Sequence, residues 1–565
     1  MIQELVEFGK RMTTGKDKAL KETPFAIDLV INEAGEFIRF IVGEKRSVEA
    51  EVITAKKGKA RFLLDKGEEV LGVGDEKKHQ LFLDKLEQYR KDLPAIEPVF
   101  KFYDDRNENG VKKAAAEYAN LDKKTKTENI TFMVGSTRLL QTDDVRAAIV
   151  KHFKDNEHSL SNGRVCSICG KSDSPVLDEP HGLVKMPKGQ TAGSALVSFN
   201  ENAFESYGLK GNLNSSICRD CARNYIEGLS FLLSDGHEVP GEGKQKAHYQ
   251  YHHRINISDT TVTLFWTRKE AENINPFIIY DTPDASQIRN LFTSVWSGKK
   301  DTCSAVETNM FYNCTLSSAA ARIAVRDWTA ISLEEYRQNL ADWFQDIEMM
   351  DYNGEIIYAP LRLLINATQR DQKPGEKKKA DLNAKASTGT MLWNSAIKGR
   401  SYKIPLEVLQ SVLNRIWKDD YFSAARAAVI KLVINRNTNK DMKSTLEESN
   451  TSVAYLCGRL FAVIESMQWK AIGNVNSSVK NRYFTAAASQ PAFIFGTLLT
   501  KNVPIYQHKI GGYLAKELND IAGTISKQGK LPQRFSTIEQ GEFALGYYFQ
   551  RTQKTNNETT ENINP

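Results

Sequence analysis

No stretch of the 565-residue sequence stays apolar for long enough to cross a membrane. Its start, Met1-Ile-Gln-Glu-Leu-Val-Glu-Phe-Gly, is amphipathic and carries acids early, unlike a secretory leader. Cysteine is sparse, and its total of seven is odd, which with no leader argues for a reducing cytoplasm. Catalytic signatures are missing as well. There is no Walker A GxxxxGK[ST], no HExxH and no His-Asp nuclease pair, and Gly298-Lys-Lys-Asp lacks the Ser/Thr that a phosphate loop requires. Excess charge is small, +6 on 76 basic and 70 acidic residues, so any nucleic-acid surface must be a local patch and not a global field. No internal repeat is visible.

What the sequence does have is a pattern in its few cysteines. Cys166-Ser-Ile-Cys169-Gly170 and Cys218-Arg-Asp-Cys221 are two Cys-x-x-Cys pairs, the spacing of a structural site for one Zn2+. Gly170 suits the tight knuckle in which backbone N–H groups turn towards sulfur. The second pair runs into Ala222–Leu229, which reads as a helix whose N-terminus favours thiolates. Two unrelated buried pairs are the other reading, and His181 is a further candidate ligand. Cys303, Cys314 and Cys457 have no motif spacing.

Between the pairs lies Lys185-Met-Pro-Lys188-Gly189-Gln190-Thr191-Ala-Gly193-Ser194, followed by Ala195-Leu-Val-Ser-Phe-Asn200. A glycine-bearing basic loop feeding a short strand brings backbone N–H groups near a phosphate. Reading base edges needs long donors such as Lys, Gln and Asn on a loop that enters a groove. Lys185, Lys188, Gln190, Thr191 and Asn200 are the candidates, with helix capping the alternative for Asn200.

Phe25–Ile31 and Glu36–Val42 read as a hairpin around Asn-Glu-Ala-Gly35, with β character continuing through Glu49–Thr54 and Arg61–Leu64. Glu76–Lys91, Asp143–Phe153 and Leu333–Met349 read as helices, and Ile130–Val134 as a strand. Ser234–Lys246 reads as a connector. His248-Tyr-Gln-Tyr-His-His-Arg254 invites a metal reading, but alternation leading to Thr261–Trp266 reads as an ordinary strand. Met310–Tyr312 reads as a strand, and Ala319–Trp328 as a basic helix start that puts Arg322 and Arg326 on one face, suited to phosphates or to surface ion pairs. After the charged linker Lys373–Lys379 the β patterning ends. Apolar stripes through Leu406–Ile416, Val453–Met467, Tyr513–Ile525 and Ile538–Tyr548 predict a helical bundle, with Lys470, Lys480 and Arg482 as further phosphate candidates. The fold class expected is α+β: a mixed α/β region over 1–395 with a zinc-bearing insertion at about 160–235, an all-α bundle over 396–551, and a disordered tail over 552–565.

Several segments, in order from about Phe62 to Arg551, resemble one family. They are Phe62-Leu-Leu-Asp65 through Val70-Leu-Gly72, Leu196-Val-Ser-Phe-Asn200-x-x-Ala203-Phe-Glu-Ser-Tyr-Gly208, and Ser317-Ser-Ala-Ala-Ala-Arg322-Ile-Ala-Val-Arg326-Asp-Trp328. Gly458–Glu465, Tyr483-Phe through Ala488-Ser-Gln-Pro491, and Glu539–Arg551 complete the set. Together they are similar to the large subunit of the type I-C CRISPR surveillance complex (type I-C Cascade). Ser317-Ser-Ala departs from the usual Ser-Pro-Asn, and Phe549 stands where His is usual. The zinc reading rests on spacing alone.

The resemblance implies a non-catalytic, cytoplasmic subunit with an N-terminal domain that reads the short protospacer-adjacent motif (PAM) in double-stranded DNA. It implies a helical C-terminal domain along the displaced single strand. The implied partners are CRISPR RNA, the Cascade backbone and guide-processing subunits, and the recruited helicase-nuclease, with no membrane. A small helical subunit started internally is also implied, and Met442, in a polar break between two helical stripes, is the candidate start. The competing readings are a zinc-dependent nuclease and a stand-alone zinc-containing DNA-binding regulator.

Overall fold

The computed structural model describes residues 1–13, 17–52, 60–158, 164–172, 181–241, 247–269, 310–370, 382–419, 421–473, 477–509 and 512–561. The Lys373–Lys379 linker, Cys303 and Gly298-Lys-Lys-Asp lie outside these residues. The chain divides into two compact units, one of Met1–Lys185, Gly189–Phe231 and Ala319–Ile323, the other of Met186–Lys188, Leu232–Ser318 and Ala324–Pro565. This division lies elsewhere than the boundary expected at 395/396, because apolar side chains from Ile257 to Phe549 share one core.

In the first unit, β1 (Leu20–Ile31) and β2 (Phe37–Glu51) form the expected hairpin. Its turn is set by Asn32, whose Oδ1 accepts the N–H groups of Ala34 and Glu36 at 3.0 and 2.9 Å. Gly35 follows at φ +78°, where a Cβ would stand 2.4 Å from the Phe102 nitrogen, so only glycine fits. Strands β3 (Leu64–Lys66), β4 (Asn129–Val134) and β5 (Thr137–Arg138) complete a mixed sheet of order β2-β1-β4-β3, with β4 parallel to β1 and β5 paired to β4. The helix Glu76–Arg90 buries Phe82, Leu86 and Tyr89 into the core of this sheet. One charge is buried on β1: the Asp28 carboxylate accepts from Arg46 Nη2 at 2.8 Å and from Arg138 Nε and Nη2 at 2.7 and 2.9 Å. Two guanidinium partners offset the cost of taking that carboxylate out of water.

The second unit has a two-stranded ribbon that pairs β6 (Gly236–Val239), inside what reads from sequence as a connector, with β7 (His248–Tyr251), which lies in the stretch expected to be a strand. Its four-stranded sheet has the order β11-β10-β9-β8, from β8 (Arg254–Asn256), β9 (Thr261–Thr267), β10 (Met310–Ala319) and β11 (Arg322–Ser332). Around it stand the expected helices, among them Leu333–Ile347, Leu406–Asp419, Val453–Ile472, Gly512–Lys527 and Thr537–Glu561. Two of them approach very closely. A Cβ on Gly458 would stand 1.9 Å from the Phe543 carbonyl oxygen, and one on Gly546 would stand 2.1 Å from that of Tyr455.

Two expectations are corrected. Ala319–Trp328 is not a helix start. Ala320, at φ +51°, and Ala321 turn β10 into β11, and alternation in Arg322-Ile-Ala-Val-Arg326-Asp-Trp328 favours sheet pairing over the local alanine propensity. The tail does not begin as irregular chain at 552: the last helix runs through Glu561, since extending an anchored helix needs no new nucleus. Residues 562–565 lie outside those described. Met442, in the polar break between helices, is buried. It is 4% exposed, and its N–H donates to Asn435 Oδ1 at 2.9 Å.

Candidate metal centre and nucleic-acid interface

The four paired cysteines converge. Their sulfur atoms all lie within 4.8 Å of one another, although 52 residues separate Cys166 from Cys218. Local backbone explains how each pair presents its sulfurs. Gly170, at φ +72°, turns the first pair back so that its N–H reaches the Cys166 carbonyl at 2.9 Å. The Cys218 N–H donates to Cys166 Sγ at 3.3 Å, as a metal knuckle requires. Cys218 precedes the helix Arg219–Ser234, and Cys221 lies in its first turn, as expected.

The donor set fits a metal ion. Sulfurs bound tetrahedrally at ~2.3 Å from one zinc stand ~3.8 Å apart, and Cys169 Sγ and Cys218 Sγ are 3.8 Å apart. Electrostatics points the same way. The Cys218 thiol is pulled down to about 5 by its hydrogen bond from Cys221, while the same contact pushes Cys221 up and burial raises Cys169. Negative charge is therefore accepted at one sulfur at the expense of its neighbours, and a bound cation relieves that conflict. A tetrathiolate around a divalent ion carries net charge −2. Lys10, Lys18, Lys171 and Arg223 line the adjoining cleft of about 280 Å³ together with Asp220, whose carboxylate pairs with Lys18, and the cleft's excess of cations suits that charge. Among the described residues, these cysteines are the one group of three or more His, Cys, Asp or Glu side chains placed to share an ion.

His181 is not among them. It is buried, with Nδ1 2.6 Å from the Tyr225 hydroxyl, and burial pushes its pKa down to about 4. The sequence His248–Arg254 holds β7, a bend at His252-His253 and the first residue of β8. His252 Nδ1 stands 2.9 Å from Asp235 Oδ2, and its Nε2 stands 2.9 Å from His237 Nδ1.

The loop donors are exposed. Lys185, Lys188, Gln190, Thr191 and Asn200 all have solvent-facing side chains. Val184 and Ser194 pair as an isolated bridge across the loop's base, and the Gly193 N–H closes a turn on the Gln190 carbonyl at 2.9 Å. Lys188 sits at φ +53°, a conformation that costs a non-glycine residue about 1 kcal/mol. Ala195 bridges Arg322, and Asn200 is no helix cap: its Oδ1 accepts from Arg322 Nη2 at 2.5 Å. The Arg322 guanidinium also lies 4.6 Å from the centre of the Phe204 ring. Arg326, further along β11, donates from Nε to Ser317 Oγ at 2.7 Å. Four residues apart places two side chains on one side of a strand, as it would on a helix.

In the helical region, Lys470 and Arg482 are exposed and Lys480 is half-buried, with Arg482 Nε donating to Ser477 Oγ at 3.0 Å. Sequence reasoning missed Phe204 and Tyr207. Tyr207 is 98% exposed at the tip of the Ser206–Leu209 turn, at φ +52°, with Gly208 at φ +73°. The available signal was Tyr-Gly between short polar runs, a two-residue turn needing positive φ at both positions.

A family model described as CRISPR-associated protein (Cas_Csd1) matches residues 6–555. No curated protein matches the chain.

Proposed function

The chain belongs to the Cas_Csd1 family of CRISPR-associated proteins, and from that premise we propose that it is the non-catalytic large subunit of a type I-C RNA-guided surveillance complex. In such a division of labour, guide RNA pairing carries the long sequence and the protein reads the PAM and duplex shape. The loop Lys185–Asn200 reads the PAM, with Lys188 and Gln190 at base edges and Lys185, Thr191 and Asn200 on the backbone. Arg322 and Arg326 add phosphate contacts. A single structural zinc on Cys166, Cys169, Cys218 and Cys221 holds the segment from which the loop emerges. Its role there is to fix geometry, since a complete set of four protein ligands leaves no open position for chemistry.

The helical region lines the displaced strand through Lys470, Lys480 and Arg482, and the assembled subunit helps recruit the helicase-nuclease. No helix among the described residues is long and apolar enough to cross a membrane, in keeping with a partner set of nucleic acid and other cytoplasmic subunits. A short product beginning at Met442 starts in the irregular chain between helices Ala424–Asn437 and Val453–Ile472, so it contains whole helices.

The observation that carries the reading is the family match over nearly the whole chain, joined to exposed long donors on a loop that lies, in sequence, between the two pairs of a four-cysteine cluster. It is tested in the reconstituted complex with target duplexes that differ only in the PAM. Lys188→Ala and Gln190→Ala should each lose about 1–3 kcal/mol on the correct PAM and narrow the gap to the scrambled one. Equal losses on both duplexes would reduce the loop to a phosphate grip. Metal-dependent cleavage of DNA by the purified chain would turn the assignment to a nuclease.

A further inference from the structure

The ribbon of β6 and β7 carries side chains that the function proposed above leaves without a part. Strand pairing sets His237 opposite Gln250 and Gly236 opposite Tyr251. His252 follows directly, in the bend before β8. Residues diagonal to one another across an antiparallel pair share a face. His237 and His252 therefore meet, although 15 residues separate them. Asp235, just before β6, stands beside His252. The histidines of His248–Arg254 read from sequence as part of an ordinary strand, and only the pairing adds His237 and Asp235 to them.

These groups are held in order. The His252 N–H donates to the Asp235 carbonyl at 3.0 Å, and His252 Nδ1 stands 2.9 Å from Asp235 Oδ2. An ionised carboxylate only accepts, so a neutral His252 carries its proton on Nδ1 and presents a lone pair at Nε2. That Nε2 lies 2.9 Å from His237 Nδ1. Tyr249 ties the same end of the ribbon, its hydroxyl donating to the Gly236 carbonyl at 2.8 Å. The Asp235 and His252 side chains are 27% and 40% exposed, and His237 is exposed, so an ion from solvent can reach the rings.

We propose that His237 Nδ1 and His252 Nε2 bind one late first-row divalent ion, of the class of Ni2+ or Cu2+, with Asp235 as a positioning residue behind His252. Imidazole nitrogens held at ~2.1 Å from one ion stand ~3.0 Å apart at a right angle and ~3.4 Å apart in a tetrahedron. The observed 2.9 Å fits the right angle of a square or octahedral ion. Nitrogen donors at that angle suit Ni2+ or Cu2+, where Mg2+ and Ca2+ take oxygen. A carboxylate on the far nitrogen of a ligating imidazole fixes its ring and raises its basicity. No net proton is released: the ion takes the place of the hydrogen between the rings, and His237 carries its proton on Nε2 in place of Nδ1. Water completes the coordination. Two protein ligands make an exchangeable site, unlike the closed set of four thiolates, and the ion joins β6 to the bend before β8.

The test is a calorimetric titration of the purified, zinc-loaded full chain with Ni2+. Zinc content is measured before and after, so that exchange at the thiolates is recognised. One Ni2+ per chain should bind in addition to the zinc. His237→Ala and His252→Ala should each weaken it by about tenfold or more, and Asp235→Asn, which touches no ion, by about tenfold. Ni2+ should also slow amide exchange over 236–239 and 248–252 in the parent and not in His237→Ala. His508→Ala, which removes an exposed imidazole elsewhere, should change nothing. No Ni2+ beyond what replaces zinc, or an affinity that survives both histidine variants, would overturn the proposal and leave a hydrogen bond between two rings. An equal loss in His508→Ala would overturn it as well, by showing binding at scattered surface histidines. None of these outcomes bears on the PAM-reading assignment, which involves other residues.

Discussion

The cysteine segment and the helical core hold their shape by different means. Around Cys166–Cys221 the described residues have one regular helix, Arg219–Ser234, and otherwise bridges, turns and short 3-10 stretches joined by single hydrogen bonds. Between Val453 and Phe549 the helices bury a dense apolar set, including Phe461, Phe484, Phe495, Phe543 and Tyr547, with backbones brought together at Gly458 and Gly546. The loop that presents Lys188 and Gln190 to solvent has little apolar area to bury, and in the function proposed above a metal on the convergent thiolates is what gives it order. The helical core needs no such brace and leaves its surface free for charge.

The sharpest way to break this comparison is to take away the metal. Structural zinc on four thiolates is worth on the order of 10 kcal/mol of binding at neutral pH. Chelation, or Cys166→Ser, should therefore raise amide hydrogen exchange across 164–241 strongly and leave Val453–Phe549 protected. Metal analysis of the purified chain should find about one zinc per chain. Uniform loss of protection in both regions would end the contrast.

The converse test acts on packing. Gly458→Val or Gly546→Val puts side-chain carbon into a facing carbonyl and should cost about 3 kcal/mol or more. Urea melts should show the loss, while zinc content stays the same. A Gly458→Val variant as stable as the parent would mean that the two helices do not approach as closely as described.

A smaller effect sharpens the picture of the first unit's sheet. Burial, with the neighbouring Glu69 carboxyl next in weight, pushes Asp65 up to about 6, while Glu69 is lowered, with hydrogen bonds from Asp65 and Lys78 opposing its own desolvation. A carboxyl raised on folding binds its proton more tightly in the native state, so its contribution to stability is full below about pH 4 and is lost as pH rises to about 6. The lowered Glu69 runs the opposite way and offsets part of this. The net fall should be about 1–2 kcal/mol, and Asp65→Asn should flatten it in melts run from pH 4 to 7. An unchanged slope in that variant would show that the pair does not share a proton.

Much of the fold was legible because one periodicity ruled each segment. Alternation and the Asn32–Gly35 turn marked the β1–β2 hairpin, and apolar spacing marked Leu406–Asp419, Val453–Ile472 and Gly512–Lys527. The cysteine site was legible because thiolate chemistry demands close pairs, whatever the distance between them along the chain. Long-range pairing was not. Arg322–Trp328 follows an alanine run that favours a helix, and only the antiparallel partner β10 makes it a strand. Met442 lies among polar residues that read as surface, yet the Asn435 side chain holds its backbone and the core takes its side chain. The tie between Asn200 and Arg322, 122 residues apart, left no local trace. Exposed aromatic side chains such as Trp469 and Phe493 read as core in any helical stripe, and only the packed helices show which face they occupy.

The central claim is that the four-cysteine segment positions the loop proposed to read DNA. The direct measurement is the ratio of affinities for correct and scrambled PAM duplexes, taken on the reconstituted complex before and after zinc is removed with a chelator. The account predicts that the ratio falls towards one while the salt-dependent, sequence-independent binding remains. A ratio that survives complete loss of zinc would contradict it.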